Sequence, residues 1–222
     1  CIGSYHLQHL LSHSDTVEVY LAEHTLFHTE AVVKILAGHK TKADDEIEKF
    51  LAQASLLTQL QHPHIVEVSD FGMVEESAFL VMNYAPNGTV LRRYPRGTVV
   101  PLHIIIEYVR QIADALQYAH AHELIHRDVK PENMLLGRDG RILLSDFGLA
   151  MLSPGLLSKR PTDQAGTIGY MAPEQIEGLP GKGSDQYALG VVVYEWLCGH
   201  LPFSGPDQEI AIQHLQAAPP SL

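Results

Sequence analysis

The sequence predicts an α+β fold with two lobes, a small β-rich N-terminal lobe and a larger helical C-terminal lobe. Apolar residues alternate or form short runs through residues 5–36, which is typical of strands. Pro86-Asn87-Gly88 then breaks this pattern and is the best boundary in the sequence. Beyond it the apolar residues recur mainly at helical spacing. We therefore expect an N-lobe at 1–83, a hinge at 84–87 and a C-lobe at 88–222.

The N-lobe strands are predicted from short apolar patterns. In the first stretch the alternating apolar positions are Val17, Val19 and Leu21. Residues 31–36 form a short apolar run around one lysine, which also predicts a strand. Two more strands are expected near residues 65–72 and 78–83.

Helical spacing predicts three longer helices, at residues 42–60, 102–121 and 184–198. Thr41 and Asp44 resemble a capping box for the first of them. The predicted apolar face of the second consists of Ile105, Val109, Ile112, Ala113, Leu116 and Ala119. A hairpin of two short strands, at 134–136 and 142–144, is expected in the C-lobe.

Composition excludes some functions and leaves others open. The chain has 15 Lys and Arg against 26 Asp and Glu, a formal charge of −11, which argues against nucleic acid as a partner. The acidic balance favours basic partners, with solubility alone as an equal alternative. Cys1 and Cys198 provide no disulfide framework, and Cys198 is expected to be a small buried apolar residue.

The sequence contains no signal peptide and no uncharged apolar stretch of about 18 residues, so no membrane segment is expected in it. A cytoplasmic domain is predicted. The chain begins at Cys1 and stops after Leu222, and we interpret it as a fragment truncated at the C-terminus. An anchor in the full-length protein could then lie outside this fragment.

One stretch concentrates the groups that phosphoryl transfer requires. Asp128, in a loop after apolar residues, would accept or orient the proton of an attacking hydroxyl. Lys130 would neutralise charge on the transferring phosphoryl group. Asn133 and Asp146 offer oxygen ligands to Mg²⁺. Each acid alone is more often a surface or turn residue, but their combination and spacing predict phosphoryl transfer from a metal-bound triphosphate.

Nearly the whole chain resembles the eukaryotic-like Ser/Thr protein kinases of bacteria. The motifs that carry the resemblance are His126 to Asn133 for the catalytic loop, Asp146-Phe147-Gly148 for the metal-binding motif, Gly166 to Glu174 for the end of the activation segment, Ser184-Asp185 with Tyr187 to Gly190 for the buried helix, Ala31 to Lys34 for the lysine strand and His62 to Val66 for the loop after the regulatory helix. In this family the aspartate at Asp185 usually braces the catalytic-loop backbone.

The resemblance implies ATP and Mg²⁺ as cofactors, with Mn²⁺ as an alternative metal. It implies protein substrates, and Lys130 together with Thr167 indicates Ser or Thr over Tyr as the acceptor. Self-association for autophosphorylation is a further expectation. Arg127 would pair with a phosphate on the segment at 149–164, whose candidate hydroxyls are Ser153, Ser158 and Thr162. Any one of these hydroxyls is more often an unmodified loop residue, whereas phosphorylation of at least one of the three is an equal alternative.

The resemblance also implies a nucleotide site in the N-lobe. Lys34 would contact ATP, while Val19 and Val32 would pack on the adenine ring. Backbone groups of Met82, Asn83, Tyr84 and Ala85 would bind the adenine edge. Ser12 and Ser14 occupy the loop that covers the phosphates. All of these are also compatible with plain strand residues.

Three departures from the family pattern leave two functions open. Residues 12–19 contain none of the three glycines of the phosphate loop, and Asp15 adds a negative charge there. Gln53 stands where the family has the glutamate that pairs with Lys34, so that pairing is expected to be weakened. The arginine that usually pairs with Glu174 is missing, so Glu174 is expected to lack a partner. The chain is therefore an active Ser/Thr kinase or a nucleotide-binding pseudokinase that acts as a signalling scaffold.

Overall fold

The computed structural model describes residues 1–14, 17–36, 43–75, 77–147 and 167–222. Internal contacts divide them into two compact units. The first unit comprises 1–62 and 66–84, and the second comprises 63–65 and 85–222. The predicted α+β class is confirmed, because the first unit contains an antiparallel sheet and the second is mainly helical. The lobe and hinge boundaries remain a prediction.

The first unit is built on a five-stranded antiparallel sheet in the order β1-β2-β3-β5-β4. Its strands are β1 (Tyr5–His13), β2 (Val17–His24), β3 (Glu30–Leu36), β4 (Val68–Val74) and β5 (Ser77–Asn83). The predicted start of β4 near residue 65 is wrong. Ile65 instead forms one isolated bridge with Leu144 in the second unit.

One face of this sheet carries an apolar core. The core consists of Ile2, Tyr5, Ala22, Ala31, Val33, Phe79 and Val81. Because side chains alternate between the two faces of a strand, Val19 and Leu21 lie on the opposite face, where they are only half-buried. The sequence pattern therefore identified β2 correctly, but the buried residue of that strand is Ala22.

Helix α1 (Ala43–Leu57) packs against β4 and β5 in the first unit. Its buried side chains include Phe50, Ala54 and Leu57. The helix ends three residues before the predicted end at residue 60, although Leu60 is buried as well. Thr41, one half of the predicted capping box, lies outside the described residues.

The second unit contains the predicted hairpin and helices. Its elements are α2 (Val90–Arg93), α3 (Leu102–Ala121), β6 (Met134–Leu136), β7 (Ile142–Leu144), α4 (Pro173–Ile176), α5 (Lys182–Cys198) and α6 (Asp207–Gln216). Two single 3₁₀ turns lie at Pro131–Asn133 and Ile168–Tyr170. Helix α3 packs against α5 and β7, which places the loop after α3 beside the hairpin.

Two predicted burial assignments in the second unit are wrong. Ala113 is exposed, and Tyr108 and Ala115 lie on the buried face of α3 instead. The 3.6-residue period explains this difference, because a stripe through Ile112 continues at positions three and four residues away rather than at its neighbour. Cys198, predicted to be buried, is only partly buried at the end of α5.

Within the part of the chain that the structure describes, no helix is both long and apolar enough to span a membrane.

Candidate functional site

The loop after α3 places Asp128 against Asn133. The Asn133 side-chain nitrogen Nδ2 donates to the backbone oxygen of Asp128 at 2.7 Å and to its carboxylate Oδ2 at 2.9 Å. Asn133 lies in the 3₁₀ turn that begins at Pro131, where the proline fits the first helical position. The chain therefore turns back between Asp128 and Asn133, and these hydrogen bonds fix the orientation of the carboxylate.

Lys130 joins this carboxylate to the segment at Thr167. Its Nζ lies 2.8 Å from Oδ2 of Asp128 and donates to Oγ1 of Thr167 at 2.9 Å. The side chains of Asp128 and Lys130 are 21% and 16% exposed, so the ion pair is largely shielded from solvent. The Asn133 hydrogen bond to the carboxylate and the Lys130 contact both use its Oδ2 atom.

His126 is a fully buried, neutral support of the loop. The backbone N–H of Asp128 donates to its Nδ1 at 3.2 Å, so Nδ1 carries no proton. Nε2 must then carry the proton, and it donates to the carbonyl of Ser145 at 2.8 Å. Burial lowers the pKa of His126, which agrees with a neutral ring. The ring also packs on Phe147, with centroids 4.5 Å apart.

Asp185 on α5 holds the backbone that precedes Asp128. Its Oδ2 accepts the N–H of His126 at 2.9 Å, and its Oδ1 accepts the N–H of Arg127 at 2.7 Å. Arg127 has a φ of +68°, a left-handed conformation that costs energy for a residue with a side chain. The Gln175 amide donates to the Arg127 carbonyl at 2.7 Å and holds it from the other side.

The two predicted metal ligands are tied together through Ser145. Both the backbone N–H and the hydroxyl of Ser145 donate to the carbonyl of Asn133, at 2.9 and 3.1 Å. Asp146 follows Ser145 directly, and its φ of +67° turns the chain away from the end of β7. The structure therefore brings Asn133 and Asp146 into one neighbourhood.

This donor set suits Mg²⁺. Both hydrogen bonds of the Asn133 side chain use Nδ2, which leaves Oδ1 as its cation-binding atom. Asp146 adds a carboxylate, and Mg²⁺ commonly takes one or two protein oxygens and completes its shell with water and phosphate. No cluster of three or more His, Cys, Asp or Glu side chains that could hold a metal occurs among the described residues.

In the first unit, several predicted nucleotide-contacting residues share one sheet face. Directly opposed residues of an antiparallel pair lie on the same face. Val19 opposes Lys34, Lys34 opposes Leu80, and Val32 opposes Met82. This face is opposite to the one that carries the apolar core. It presents Lys34 among apolar side chains, with Val19, Val32 and Lys34 all partly exposed.

The predicted adenine-binding segment begins at the end of β5. Met82 and Ala85 are buried, Tyr84 is partly buried and Asn83 is exposed. The Asn83 N–H donates to the carbonyl of Glu67 at 3.0 Å, and its side chain donates to the Glu67 carboxylate at 2.9 Å. The Asn83 N–H is therefore already bonded to Glu67. A backbone N–H that donates to an adenine ring would have to belong to another residue of the segment.

Ser14 and Val17 are joined by two hydrogen bonds in the predicted phosphate loop. The Ser14 N–H donates to the carbonyl of Val17 at 2.8 Å, and the Val17 N–H donates to the Ser14 hydroxyl at 3.1 Å. Ser12 is an exposed residue of β1 opposite Val19. Asp15 lies outside the described residues. The serine hydroxyl thus supports the turn where the family pattern has glycine.

The predicted regulatory residues are described only in part. Gln53 lies on α1 and is half-buried. Ser153, Ser158 and Thr162, together with Gly148, lie outside the described residues. Arg127 Nε is buried and has no hydrogen-bond partner among the residues that the structure describes.

The structure overturns the expectation that Glu174 lacks a hydrogen-bond partner. Its Oε1 accepts a hydrogen bond from the Ser184 hydroxyl at 2.6 Å, so the carboxylate has a partner without an arginine. Ser184 also accepts the N–H of Gly181 at 3.0 Å, which caps the first turn of α5. The prediction that Glu174 lacks a partner is wrong, because a hydroxyl ten residues away supplies the donor.

Sequence reasoning missed a polar network beside Thr167, which is buried at Tyr170 and Glu195 and exposed at Arg96. The Tyr170 hydroxyl donates to Glu195 at 2.6 Å, and Arg96 donates to Glu132 at 2.9 Å with its Nε 4.0 Å from Glu195. Burial raises the pKa of Glu195. An acid inside an apolar helix pattern was the only sequence signal for this network, and its partners are far apart in the chain.

Comparisons with known proteins agree with this geometry. Residues 5–219 match the family model described as protein kinase domain. The chain is 34% identical, over 99% of its length, to serine/threonine-protein kinase PrkC of Bacillus subtilis, of which the match covers 34%. It is 35% identical over 81% of its length to probable serine/threonine-protein kinase PknB of Lactococcus lactis, covering 29% of that protein. It is 36% identical over 68% of its length to Aurora kinase A-A of Xenopus laevis, covering 37% of that protein. The chain thus spans about a third of the length of these relatives.

Proposed function

The chain belongs to the protein kinase domain family, and we propose that it transfers the γ-phosphoryl group of ATP to Ser or Thr hydroxyls of proteins, with Mg²⁺ as the metal. One observation carries this proposal. The loop at Asp128 holds its carboxylate against Lys130 and Asn133, with every contact at 2.7–2.9 Å.

Asp128 would act as the base. Its Oδ1 would accept the proton of the substrate hydroxyl as the hydroxyl oxygen bonds to the γ-phosphorus and the bond to the β-phosphate oxygen breaks, releasing ADP. Lys130 would stabilise negative charge on the transferring group from its position beside Oδ2. Mg²⁺, when bound, supplies positive charge that neutralises the phosphate oxygens. Asn133 and Asp146 would hold it.

The first unit would supply the nucleotide contacts. Lys34 would bind phosphate oxygens, and Val19 and Val32 would contact the adenine ring. Met82 and the residues up to Ala85 would bind the adenine edge through backbone groups. The shared sheet face of these side chains supports the assignment, because a lysine flanked by apolar residues suits a ligand with a charged end and an aromatic end.

The preference for Ser or Thr rests on Lys130 and Thr167. Their 2.9 Å hydrogen bond links the segment that precedes the Ile168–Tyr170 turn to the proposed base. The two bacterial relatives are named serine/threonine-protein kinases, which agrees with this acceptor class. Protein substrates, and a second copy of the chain as one such substrate, are part of the proposal.

Regulation by phosphorylation is proposed at Arg127. A buried guanidinium nitrogen without a partner among the described residues suits a phosphate on a neighbouring segment. Ser158 and Thr162 are the candidate acceptors.

A second candidate function is nucleotide binding without efficient transfer, as in a pseudokinase scaffold. Two observations favour it. The N–H groups of Ser14 and Val17 donate to the Val17 carbonyl and the Ser14 hydroxyl, which removes two backbone donors from those a phosphate could use. Gln53 stands where the family has a glutamate and would give Lys34 only a neutral hydrogen bond, worth about 0.5–1.5 kcal/mol against about 1.5–3 kcal/mol for a charged one.

The two functions are separated by a transfer assay with γ-labelled ATP and Mg²⁺, using the chain itself and a Ser/Thr-rich protein as acceptors. The variants are Asp128→Asn and, as a matched control, Asp139→Asn, which changes an exposed hairpin acid. We expect D128N to lower the transfer rate by at least about 10²-fold and D139N to leave it unchanged. Equal incorporation by wild type and D128N, with ATP still bound, would establish the pseudokinase function instead.

A further inference from the structure

His120, near the end of α3, makes a third hydrogen bond to the carboxylate of Asp185. Its Nε2 lies 2.7 Å from Oδ2 of Asp185. The Asp185 side chain is fully buried, whereas that of His120 is 19% exposed. An ionised carboxylate can only accept hydrogen bonds, so the imidazole proton lies on Nε2 and points at Oδ2.

The same carboxylate holds the two residues before the proposed base. Oδ2 accepts the N–H of His126, and Oδ1 accepts the N–H of Arg127. The left-handed conformation of Arg127 persists only because its surroundings impose it. The direction of the Asp185 carboxylate therefore determines the backbone from which the Asp128 side chain projects.

The third bond fixes that direction. A carboxylate held only by the backbone N–H groups of two adjacent loop residues takes its direction from that loop. His120 belongs to a long helix packed on α5, so its bond ties Oδ2 to a rigid element instead of to the loop itself. Groups that orient a functional residue from rigid elements determine how well that residue is positioned.

We propose that His120 is a positioning residue for phosphoryl transfer, acting through Asp185 on the backbone at His126 and Arg127. This inference rests on the proposed function of Asp128. It predicts that His120 changes the turnover step and leaves the affinity for nucleotide unaffected. A histidine that merely connects α3 to α5 would change stability alone.

The test compares three variants of His120 with a control. His120→Gln keeps an N–H donor at nearly the position of Nε2, His120→Asn keeps a donor of shorter reach, and His120→Leu removes the donor. His103→Leu makes the same chemical change at an exposed position of the same helix. The measurements are kcat, the KM for Mg-ATP and the hydrogen exchange of the backbone amides of residues 126 and 127, at a temperature where every variant is folded.

We expect H120L and H120N to lower kcat by about tenfold, as loss of one hydrogen bond to a charged group predicts, with KM for ATP within about twofold of wild type. H120Q should retain at least about a third of the wild-type kcat, and H103L all of it. The amides of His126 and Arg127 should exchange at least about tenfold faster in H120L and H120N, with the β6–β7 amides unchanged.

Unchanged exchange at these two amides in both H120L and H120N would overturn the proposal, as would an equal loss of kcat in H120Q and H120N. Hydrogen exchange tests the proposal even if H120L does not fold. The H120Q and H120N variants both keep a polar N–H donor and differ only in how far that donor reaches toward Asp185. The exchange measurement also distinguishes a failure of this proposal from a failure of the proposed function. A wild-type chain that transfers no phosphate refutes the activity, while faster exchange in H120N but not in H120Q would still support the positioning contact.

Discussion

The Tyr170 hydroxyl donates a 2.6 Å hydrogen bond to the carboxylate of Glu195, and both side chains are almost fully buried. This bond fastens the turn at Ile168–Tyr170 to helix α5. Thr167, which precedes that turn, contacts Lys130 beside Asp128. The segment at Thr167, which contacts Lys130, is therefore held by the same helix that carries Asp185.

Tyr170→Phe is expected to destabilise the second unit. The substitution leaves a buried carboxylate oxygen without its donor, which costs about 1–3 kcal/mol. The free energy of unfolding, measured by urea denaturation, checks this. Tyr20→Phe is the matched control, because Tyr20 donates to the exposed Glu18, and its effect should stay within about 0.5 kcal/mol. Equal effects of the two substitutions would contradict the importance of the buried bond.

Stability is expected to fall on acidification below the ordinary histidine pKa of 6.5. Burial lowers the pKa of both His126 and His214. The unfolded chain therefore binds more protons than the folded one in that window, so the stabilisation is complete above pH 6.5 and is lost as pH falls toward the lowered values. Each such histidine contributes at most about 1.4 kcal/mol per pH unit.

His214→Asn isolates one of these contributions. Asparagine can still accept the hydrogen bond that the Tyr187 hydroxyl shares with His214 Nδ1 at 2.8 Å, but it does not titrate. The slope of unfolding free energy against pH should become shallower in H214N and stay unchanged in His103→Asn, where the histidine is exposed. A slope identical to that of wild type would show that His214 does not bind protons differently in the two states.

Gln53→Glu is expected to increase activity. A carboxylate at this position of α1 would give Lys34 a charged partner. The difference between a charged and a neutral hydrogen bond, about 1–1.5 kcal/mol, corresponds to about five- to thirteenfold in rate. The readout is kcat/KM for Mg-ATP. Gln59→Glu adds the same charge just beyond the end of the helix and should have no effect. A decrease in Q53E would show that Gln53 does not take the place of the family glutamate.

The sequence was sufficient for the elements with a clear period or turn signal. The β6–β7 hairpin matches its prediction, and α3 has the predicted ends. Which side chains of an apolar pattern are buried was harder to predict. Alternation identified β2 but not its buried face, because Ala22 is small and gives a weak hydrophobic signal.

The site could be predicted only where its residues are close in sequence. Asp128, Lys130 and Asn133 lie within six positions, and the structure joins them. The supporting contacts join residues about 60 positions apart, such as His120 with Asp185. A single side chain can supply the donor for a partly buried acid, as Ser184 does for Glu174, and the choice of partner depends on tertiary packing that no local pattern records.

The central claim is that Asn133 and Asp146 bind one metal–nucleotide complex beside Asp128. The most direct test is calorimetric titration of wild type and Asp146→Asn with ATP, in Mg²⁺ and in chelator. We expect Mg²⁺ to strengthen ATP binding by at least about tenfold in wild type, or about 1.4 kcal/mol, and we expect this gain to disappear in D146N. Equal affinities with and without Mg²⁺ in wild type, or a full Mg²⁺ effect in D146N, would contradict it.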